Sequence, residues 1–371
     1  RLVYNKALDM RHTAWYKHQK RVNYAQISAA LTQWKKQDDL QFLREVSSVP
    51  LQQCLRHLQT AFTNFFDKRA AYPRFKSRKK SRLGLEYSSS GFRFKGDDLY
   101  IARLKEPLSV VWSRDFDRSS VSTVTITKDA AGRWFVSCLG ETVVKKRQVT
   151  GKTVGLDMGV KDTLVLSTGE KLSPRDDRDM EKKLAKVAKY QRRLSKKQTG
   201  SKNFAKAKTK LSKAHVQVVD ARKDWIHKTT TKLVEDFDIV CIEDLNVRGM
   251  TRAARGKGRK AKAGLNRGIM SQSFAEIRCC LEYKARDCGG EVVAIDRFFP
   301  SSKTCSSCGH INTSLTLNQR FWTCSVCGEH HDRDINAAKN IQAAGLAVFA
   351  CGDGVRPVSY THLTLPTKRI V

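Results

Sequence analysis

The sequence predicts an α/β domain interrupted by a zinc ribbon and preceded by a helical region and an antiparallel β-barrel. Three observations carry this. Two CxxC turns, Cys305/Cys308 and Cys324/Cys327, stand just ahead of a last helical segment. Continuous apolar runs, TVGLD, DIVCIE and EVVAI, alternate with helical periodicity, the pattern of buried parallel strands joined by helices. Between Leu83 and Val144 the apolar period shortens to two, with turn signals at GDD and DAAG, as in an antiparallel sheet.

Residues 3–70 read as helices, the clearest over Pro50 to Asp67, where Leu51, Cys54, Leu58, Ala61 and Phe65 share a face and Ser48 marks a start. The strip AYPRFKSRKKSR follows. It has six cations between Arg74 and Arg82 and no acid, with Tyr72 and Phe75 placed for stacking on bases. The segments FRFK, LYIARL, LSVVWS, VSTVTITK and RWFVSCLG then predict about five strands curled into a small barrel.

The second half opens with the strand ending in Asp157. Two helices follow, with Met180, Leu184, Val187, Gln191 and Leu194 on one seam and Phe204, Ala207, Leu211, Ala214, Val218, Ala221 and Trp225 on the other. They should pair across KKQTGSK as a hairpin with a lysine-rich outer face. A buried-type strand ends in Glu243. The Arg- and Lys-rich stretch from Arg248 to Arg267, with its Gly and Ala, is expected to be a mobile loop that orders, if at all, on a polyanion. A helix from Ser271 to Asp287, the strand EVVAID and, after the CxxC insertion, a helix lined by Ala337, Ile341, Ala344 and Val348 complete the domain.

Each CxxC turn brings two thiolates to one point, so Cys305, Cys308, Cys324 and Cys327 can complete a tetrahedral zinc site. A site closed by four thiolates stabilises a fold and does no chemistry. His310, His330 and His331 are rival ligands that the site does not need. Three acids stand at comparable places: Asp157 and Glu243 at strand ends, Asp334 at the start of the last helix. In a sheet flanked by helices such positions converge beyond the carboxyl ends of the strands. Clustered carboxylates stay ionised beside hard cations such as Mg²⁺ or Mn²⁺. A pair of these ions supports hydrolysis of a phosphodiester. Singly, each acid has a plainer reading as a cap or surface ion pair. Asp332 and Asp244 are assigned to capping or supporting roles, and Asp162 and Asp296 are weaker competitors for the site.

Seventy Lys and Arg against 36 Asp and Glu give a formal charge of +34, which points to a polyanionic partner, nucleic acid first. No apolar run approaches the roughly 18 residues of a membrane span, so no membrane partner is expected. The remaining cysteines (Cys54, Cys138, Cys241, Cys279, Cys280, Cys288, Cys351) suit thiols in a reducing, cytoplasmic setting better than a disulfide framework. The chain opens on Arg1 within helical sequence, as if a native beginning were missing, and the tail from Val358 reads like a translated sequencing adapter without function.

Taken together, GLDMGVKD, CIEDLNVRGM, DRFFPSSKTCSSCG, WTCSVCG and HDRDINAAKNI resemble the TnpB family, the transposon-encoded RNA-guided DNA nucleases related to type V CRISPR effectors. The resemblance spans roughly residues 1–357. It implies a helical recognition region over 1–82, a barrel or wedge over 83–150, and a RuvC-like, RNase H-fold nuclease domain over 151–299 containing the hairpin 180–236. The zinc ribbon would occupy 300–330, the final helix of the domain 331–357 and the tail 358–371. It also implies that Asp157, Glu243 and Asp334 are catalytic and hold two Mg²⁺ or Mn²⁺, and that the partners are a guide RNA from the transposon end and a target DNA, in the cytoplasm at the nucleoid. Family members carry a strand and helix ahead of the VYN segment that this chain lacks. The rival readings are a non-cleaving zinc-ribbon regulator of transposition and a strand-joining transposase. The latter lacks a His-apolar-His pair with a partner tyrosine.

Overall fold

The computed structural model describes residues 1–77, 81, 83–142, 147–174, 178–253, 258–316 and 318–351. Part of the basic strip, part of the stretch after Met250 and the whole adapter-like tail lie outside the described residues. The chain divides into two compact units, one of residues up to 143 and one from 144 on.

In the first unit, α1 (Leu2–His18), α2 (Tyr24–Trp34) and α3 (Ser48–Phe66) enclose one core with the 3-10 turn Asp38–Arg44. Val3, Leu8, Ile27, Leu31, Leu55, Leu58 and Phe62 meet in it. Asn23 caps α2 in a full capping box with Gln26. The start of α3 is set by Ser47, whose hydroxyl accepts from the Val49 N–H at 3.3 Å, so the cap lies one residue before the expected Ser48. The buried stripe also differs from the expected one. It runs through Leu55, Leu58 and Phe62, with Leu51 and Cys54 only partly buried at its edge. Tyr72, expected to stack on bases, instead packs edge-on against Phe62 and Phe65, while Phe75 is exposed.

Five strands follow: β1 (Leu83–Ser88), β2 (Phe92–Lys95), β3 (Asp98–Ile101), β4 (Thr123–Lys128) and β5 (Trp134–Leu139). They do not close into a barrel. β1, β4 and β5 form one antiparallel sheet, and β2 and β3 form a separate hairpin. The two share a core of Tyr87, Leu99, Ile101, Val124, Ile126 and Val136. The expected strand LSVVWS reaches the hairpin through one bridge, Leu99 to Leu108. Its Trp112 instead joins an aromatic cluster with Phe94 and Phe116, and that burial replaces a strand ladder.

The second unit is built on β6 (Thr153–Asp157), β7 (Leu164–Leu166), β8 (Lys171–Leu172), β9 (Ile239–Glu243) and β10 (Glu291–Ile295). Their spatial order is β10-β9-β6-β7-β8. β6, β9 and β10 run parallel, β7 returns antiparallel to β6, and β8, antiparallel to β7, runs in the direction of β6 again. The hairpin of α4 (Arg178–Ser195) and α5 (Lys202–Asp236) turns at Gly200, where φ is +90°. Ser201 caps α5 by accepting from the Phe204 N–H. Met180, Leu211, Ala214 and Val218 are buried along the seam, whereas Leu184 stays 42% exposed.

The stretch expected to be a mobile loop holds two helices, α6 (Val247–Met250) and α7 (Arg259–Gln272). Side-chain bonds hold α7 in place. Lys262 donates to the Met250 carbonyl, Asn266 to the Thr251 carbonyl, and buried Gln272 accepts from Thr163 at 2.6 Å while donating to the Val160 carbonyl. Ser273, with φ +58°, breaks the run before α8 (Phe274–Cys288), which is the helix expected from Ser271, with Ser271 and Gln272 belonging instead to the end of α7. The core on one sheet face gathers Val154, Leu156, Val240 and Ile242 against Ile226, Leu233, Ile277 and Leu281 of α5 and α8. The other face is covered by α9 (Arg333–Ala350), with Ile341 against Cys241, Val293 and Ile295. β11 (Phe321–Thr323) and β12 (His330–Asp332) form a small hairpin just before α9.

All eleven cysteines are free, and Cys241 and Cys280 are buried. Burial pushes the Cys241 thiol up to about 11, so it stays an inert, neutral hydrophobe. Among the described residues no helix is long and apolar enough to cross a membrane.

Candidate nuclease and zinc sites

Parallel pairing decides where the first two acids lie. Leu156 pairs with Ile242, so Asp157 and Glu243 extend the same register at the carboxyl ends of neighbouring strands, about 4.8 Å apart in backbone. Side chains alternate along a strand, so both share a face with Gly155 and Cys241 two residues earlier. That face is the one α9 covers. A Cβ on Gly155 would lie 2.0 Å from the Ala338 carbonyl oxygen, and one on Gly345 would lie 2.4 Å from Cys241 Sγ. Glycine at both places therefore lets the helix backbone lie directly on the strands.

Spacing then places the third acid. Gln342 donates to Thr153, Ala338 touches Gly155, and four further residues back along α9 is Asp334. Four helical residues rise about 6 Å and two strand residues about 6.6 Å, so helix and strand keep step and Asp334 arrives opposite Asp157. The electrostatics agree with the geometry. Burial, then the charges of Glu243 and Asp334, push the Asp157 carboxyl up to about 7, against the opposing pull of Arg333 and the Met158 N–H. Burial also raises Glu243, partly offset by a 2.5 Å hydrogen bond donated by Ser301 Oγ to Glu243 Oε1.

Asp238, at the opposite end of β9, is the instructive contrast. It is 5% exposed, yet Arg147, the Thr150 N–H and hydroxyl and the Gly151 N–H all bond it. Burial alone would raise it, but those bonds outweigh burial and hold it below the usual range. Asp238 is a structural acid whose charge the fold satisfies. Asp157 and Glu243 are partly buried acids whose charge it does not.

The neighbouring acids have other work. Asp332 caps α9 through the Asp334 and Ile335 N–H groups and pairs with Lys171 at 2.6 Å. Asp244 is held by Arg278 at 2.7 Å and by Arg297. Asp296 turns the chain by accepting from the Phe298 N–H, and Asp162 is half-buried in the turn after β6. Residues that pattern reasoning did not find also reach the site. Arg320 contacts Asp334 at 3.0 Å, Arg333 lies within electrostatic reach of Asp157, and Ser301 holds Glu243. An isolated arginine or serine in a loop leaves no periodic signal, so only tertiary placement finds them.

At the ribbon, the Sγ atoms of Cys305, Cys308, Cys324 and Cys327 all lie within 4.8 Å of one another, the one such ligand group among the described residues. Cys305–Cys327 and Cys308–Cys324 separations are both 3.6 Å. Four thiolates at 2.3 Å from a tetrahedral zinc would be about 3.8 Å apart, so the donor set fits that ion in number, chemistry and size. His331 is buried against Trp322, with Nε2 3.0 Å from Cys305 Sγ, the place of an N–H donor to a metal-bound thiolate rather than of a fifth ligand. Asn336 and Asn340 of α9 donate to the Thr304 carbonyl, and Asn340 also to the Ser301 carbonyl, which ties the ribbon's root to the helix carrying Asp334.

A protein of Streptomyces pristinaespiralis named "Putative RNA-guided DNA endonuclease" is 51% identical over 359 residues, covering 96% of this chain and 86% of its own. The chain belongs to the TnpB family. Its relative in Escherichia coli K12, "Putative RNA-guided DNA endonuclease InsQ", is 34% identical, with 96% and 89% of the two chains covered. Residues 135–254 match the family described as "Probable transposase", OrfB_IS605, and residues 274–341 match "Cas12f1-like, TNB domain". Among solved structures, the protein of a Cas12f1-sgRNA-target DNA complex superposes with a TM-score of 0.53 at 18% identity, covering 92% of this chain and 80% of that one. The TnpB chain thus shares the Cas12-like fold.

Proposed function

We propose that this TnpB chain is an RNA-guided DNA endonuclease whose RuvC-like, RNase H-fold domain hydrolyses the phosphodiester backbone at Asp157, Glu243 and Asp334. The observation that carries the reading is the convergence of three acids at the carboxyl ends of neighbouring strands, two of them partly buried without the partners that neutralise Asp238. The names borne by relatives at 51% and 34% identity support it. So does the strand order β8-β7-β6-β9-β10 with its single antiparallel member β7, the RNase H-like arrangement.

The donor set suits Mg²⁺ or Mn²⁺, hard cations that take carboxylate oxygens. A pair of such ions is the arrangement that suits hydrolysis of a phosphodiester. When bound, such ions supply a nucleophilic hydroxide at neutral pH and neutralise the departing oxygen. The protein's own contribution is to fix the carboxylates in register and to release a proton from Asp157 as cations arrive. The four cysteines are assigned to one structural zinc. The formal charge of +34 supplies affinity for the polyanionic partners, a guide RNA derived from the transposon end and its paired DNA target, at the nucleoid. The helical and two-sheet unit is assigned to holding guide and target, as recognition and wedge regions.

The test is reconstitution with the transposon-end transcript and a matched duplex. Wild type should cut only with Mg²⁺ or Mn²⁺, and Asp157→Ala should abolish cutting while keeping zinc content and DNA occupancy. Unchanged cutting by Asp157→Ala refutes the assignment. Full occupancy with no nicking in any divalent metal would leave the non-cleaving regulator.

A further inference from the structure

The root of the zinc ribbon touches the proposed nuclease site at one place. Ser301 is 6% exposed, and its hydroxyl donates its single proton to Glu243 Oε1 at 2.5 Å. The backbone around it is fixed from two sides. Its carbonyl accepts from Asn340 of α9 at 2.8 Å, and three residues on the Thr304 carbonyl accepts from both Asn336 and Asn340, at 2.7 and 2.6 Å. Asn336 Oδ1 in turn accepts from the Ser306 N–H at 2.9 Å. Both asparagines are buried, at 2% and 7% exposure, and sit one helical turn apart on the helix that carries Asp334. The next residue, Cys305, is a ligand of the proposed zinc.

We propose that Ser301 is a positioning residue for the nuclease, locking the Glu243 carboxylate in the rotamer that receives a divalent cation and coupling that rotamer to α9 and the ribbon. The proposal rests on the reading of Glu243 as a cation ligand. A glutamate at a strand end has three side-chain torsions to settle, and strand pairing fixes only its backbone. With Glu243 Oε1 engaged by Ser301, Oε2 would be the oxygen available to a cation. Asn336 and Asn340 ensure that the hydroxyl does not drift, since the segment from Ser301 to Ser306 is bonded to the helix at four points. Hydrogen bonds made to metal-ligating carboxylates typically alter metal affinity by about 10–100-fold when removed. A serine serving only to satisfy itself would lower stability and leave cation affinity alone.

The experiment compares wild type, Ser301→Ala, Ser301→Thr and Glu243→Ala as full chains loaded with zinc. Mn²⁺ binding is followed by electron paramagnetic resonance in the absence of nucleic acid, and cutting of a matched duplex is followed against Mn²⁺ concentration in the guide-RNA complex. Ser301→Ala should raise the half-saturating Mn²⁺ about tenfold in both measurements, with zinc content unchanged, and Ser301→Thr, which keeps the hydroxyl, should return it towards wild type. A lowered melting temperature with unaltered Mn²⁺ affinity in Ser301→Ala overturns the positioning role. If Glu243→Ala binds Mn²⁺ and cuts like wild type, the underlying assignment of Glu243 fails. If Glu243→Ala loses both while Ser301→Ala matches wild type, only the proposal for Ser301 fails.

Discussion

Replacing Asp157 by Asn should stabilise the cation-free protein at neutral pH while destroying its activity, a combination expected of a functional acid and not of a structural one. The unfolded chain releases the Asp157 proton near 3.8, and the folded protein, through burial and the charges of Glu243 and Asp334, near 7. Between those values the folded state holds the extra proton, so stability present below pH 3.8 is lost as pH climbs through about 7. The full displacement corresponds to about 4 kcal/mol at about 1.36 kcal/mol per pH unit. Relaxation and water entry around a buried charge reduce this, and about 1.5–2 kcal/mol is the expected gain for Asp157→Asn at pH 8. For a unit of some 200 residues that raises the melting temperature by about 3–8 °C. Calorimetry from pH 4 to 8, in buffers freed of Mg²⁺ and Mn²⁺ but with the zinc retained, measures it. The two melting temperatures should converge at pH 4 and separate as pH rises, and added Mg²⁺ should stabilise wild type more than the variant. A variant equal to or less stable than wild type at pH 8, or a gap that does not change with pH, would refute the account of an unneutralised buried carboxylate.

Two further outcomes follow from the packing. Gly155→Ala places a methyl group 2.0 Å from the Ala338 carbonyl oxygen, so α9 must lift from β6. The expected cost is about 3 kcal/mol, seen in thermal unfolding, together with loss of cutting as Asp334 withdraws from Asp157. Removing zinc with a chelator, or with Cys308→Ser, should release the ribbon. Hydrogen exchange should then rise across residues 300–332 and spread into the first turn of α9, which Asn336 and Asn340 tie to the ribbon's root. Exchange confined to residues 305–327 would mean that the root holds without the metal.

How much of this could be read from sequence depended on how each feature is encoded. The strands ending at Asp157 and Glu243 are central and buried on both faces, so their residues are continuously apolar and the pattern is unambiguous. The CxxC pairs are equally plain, since tetrahedral thiolate chemistry fixes both residue type and local spacing. The stretch around α7 was misread because composition spoke louder than periodicity. Its cations and glycines resemble a disordered loop, while Ile269 and Gln272, the residues it buries, supply too few apolar positions to show a 3.6-residue period. Four of the first unit's five strands are legible, but β1 is not among the segments the alternation picks out, LSVVWS stands in its place, and closure is not legible at all. Alternation reports which face of a strand is buried, and says nothing of which neighbour it pairs with.

The least legible contacts are those that give the acids their geometry. Gly155 and Gly345 are informative only once α9 is known to cross the strands above them, and Ser301, Asn336 and Asn340 are ordinary polar residues until their partners are in place. One consequence concerns the order in which the site can form. Asp157 and Glu243 are brought together by strand pairing over a sequence separation of more than 80 residues, and Asp334 joins only when α9, the last described helix, docks on the finished sheet. The ribbon lies between β10 and α9, and its root is bonded to both Glu243 and α9. Closing its loop with zinc shortens the span that must be ordered before α9 can dock, lowering the entropy cost of bringing in the third acid. A zinc held there would do no hydrolysis, yet it would act on the proposed hydrolytic site through the docking of a single helix.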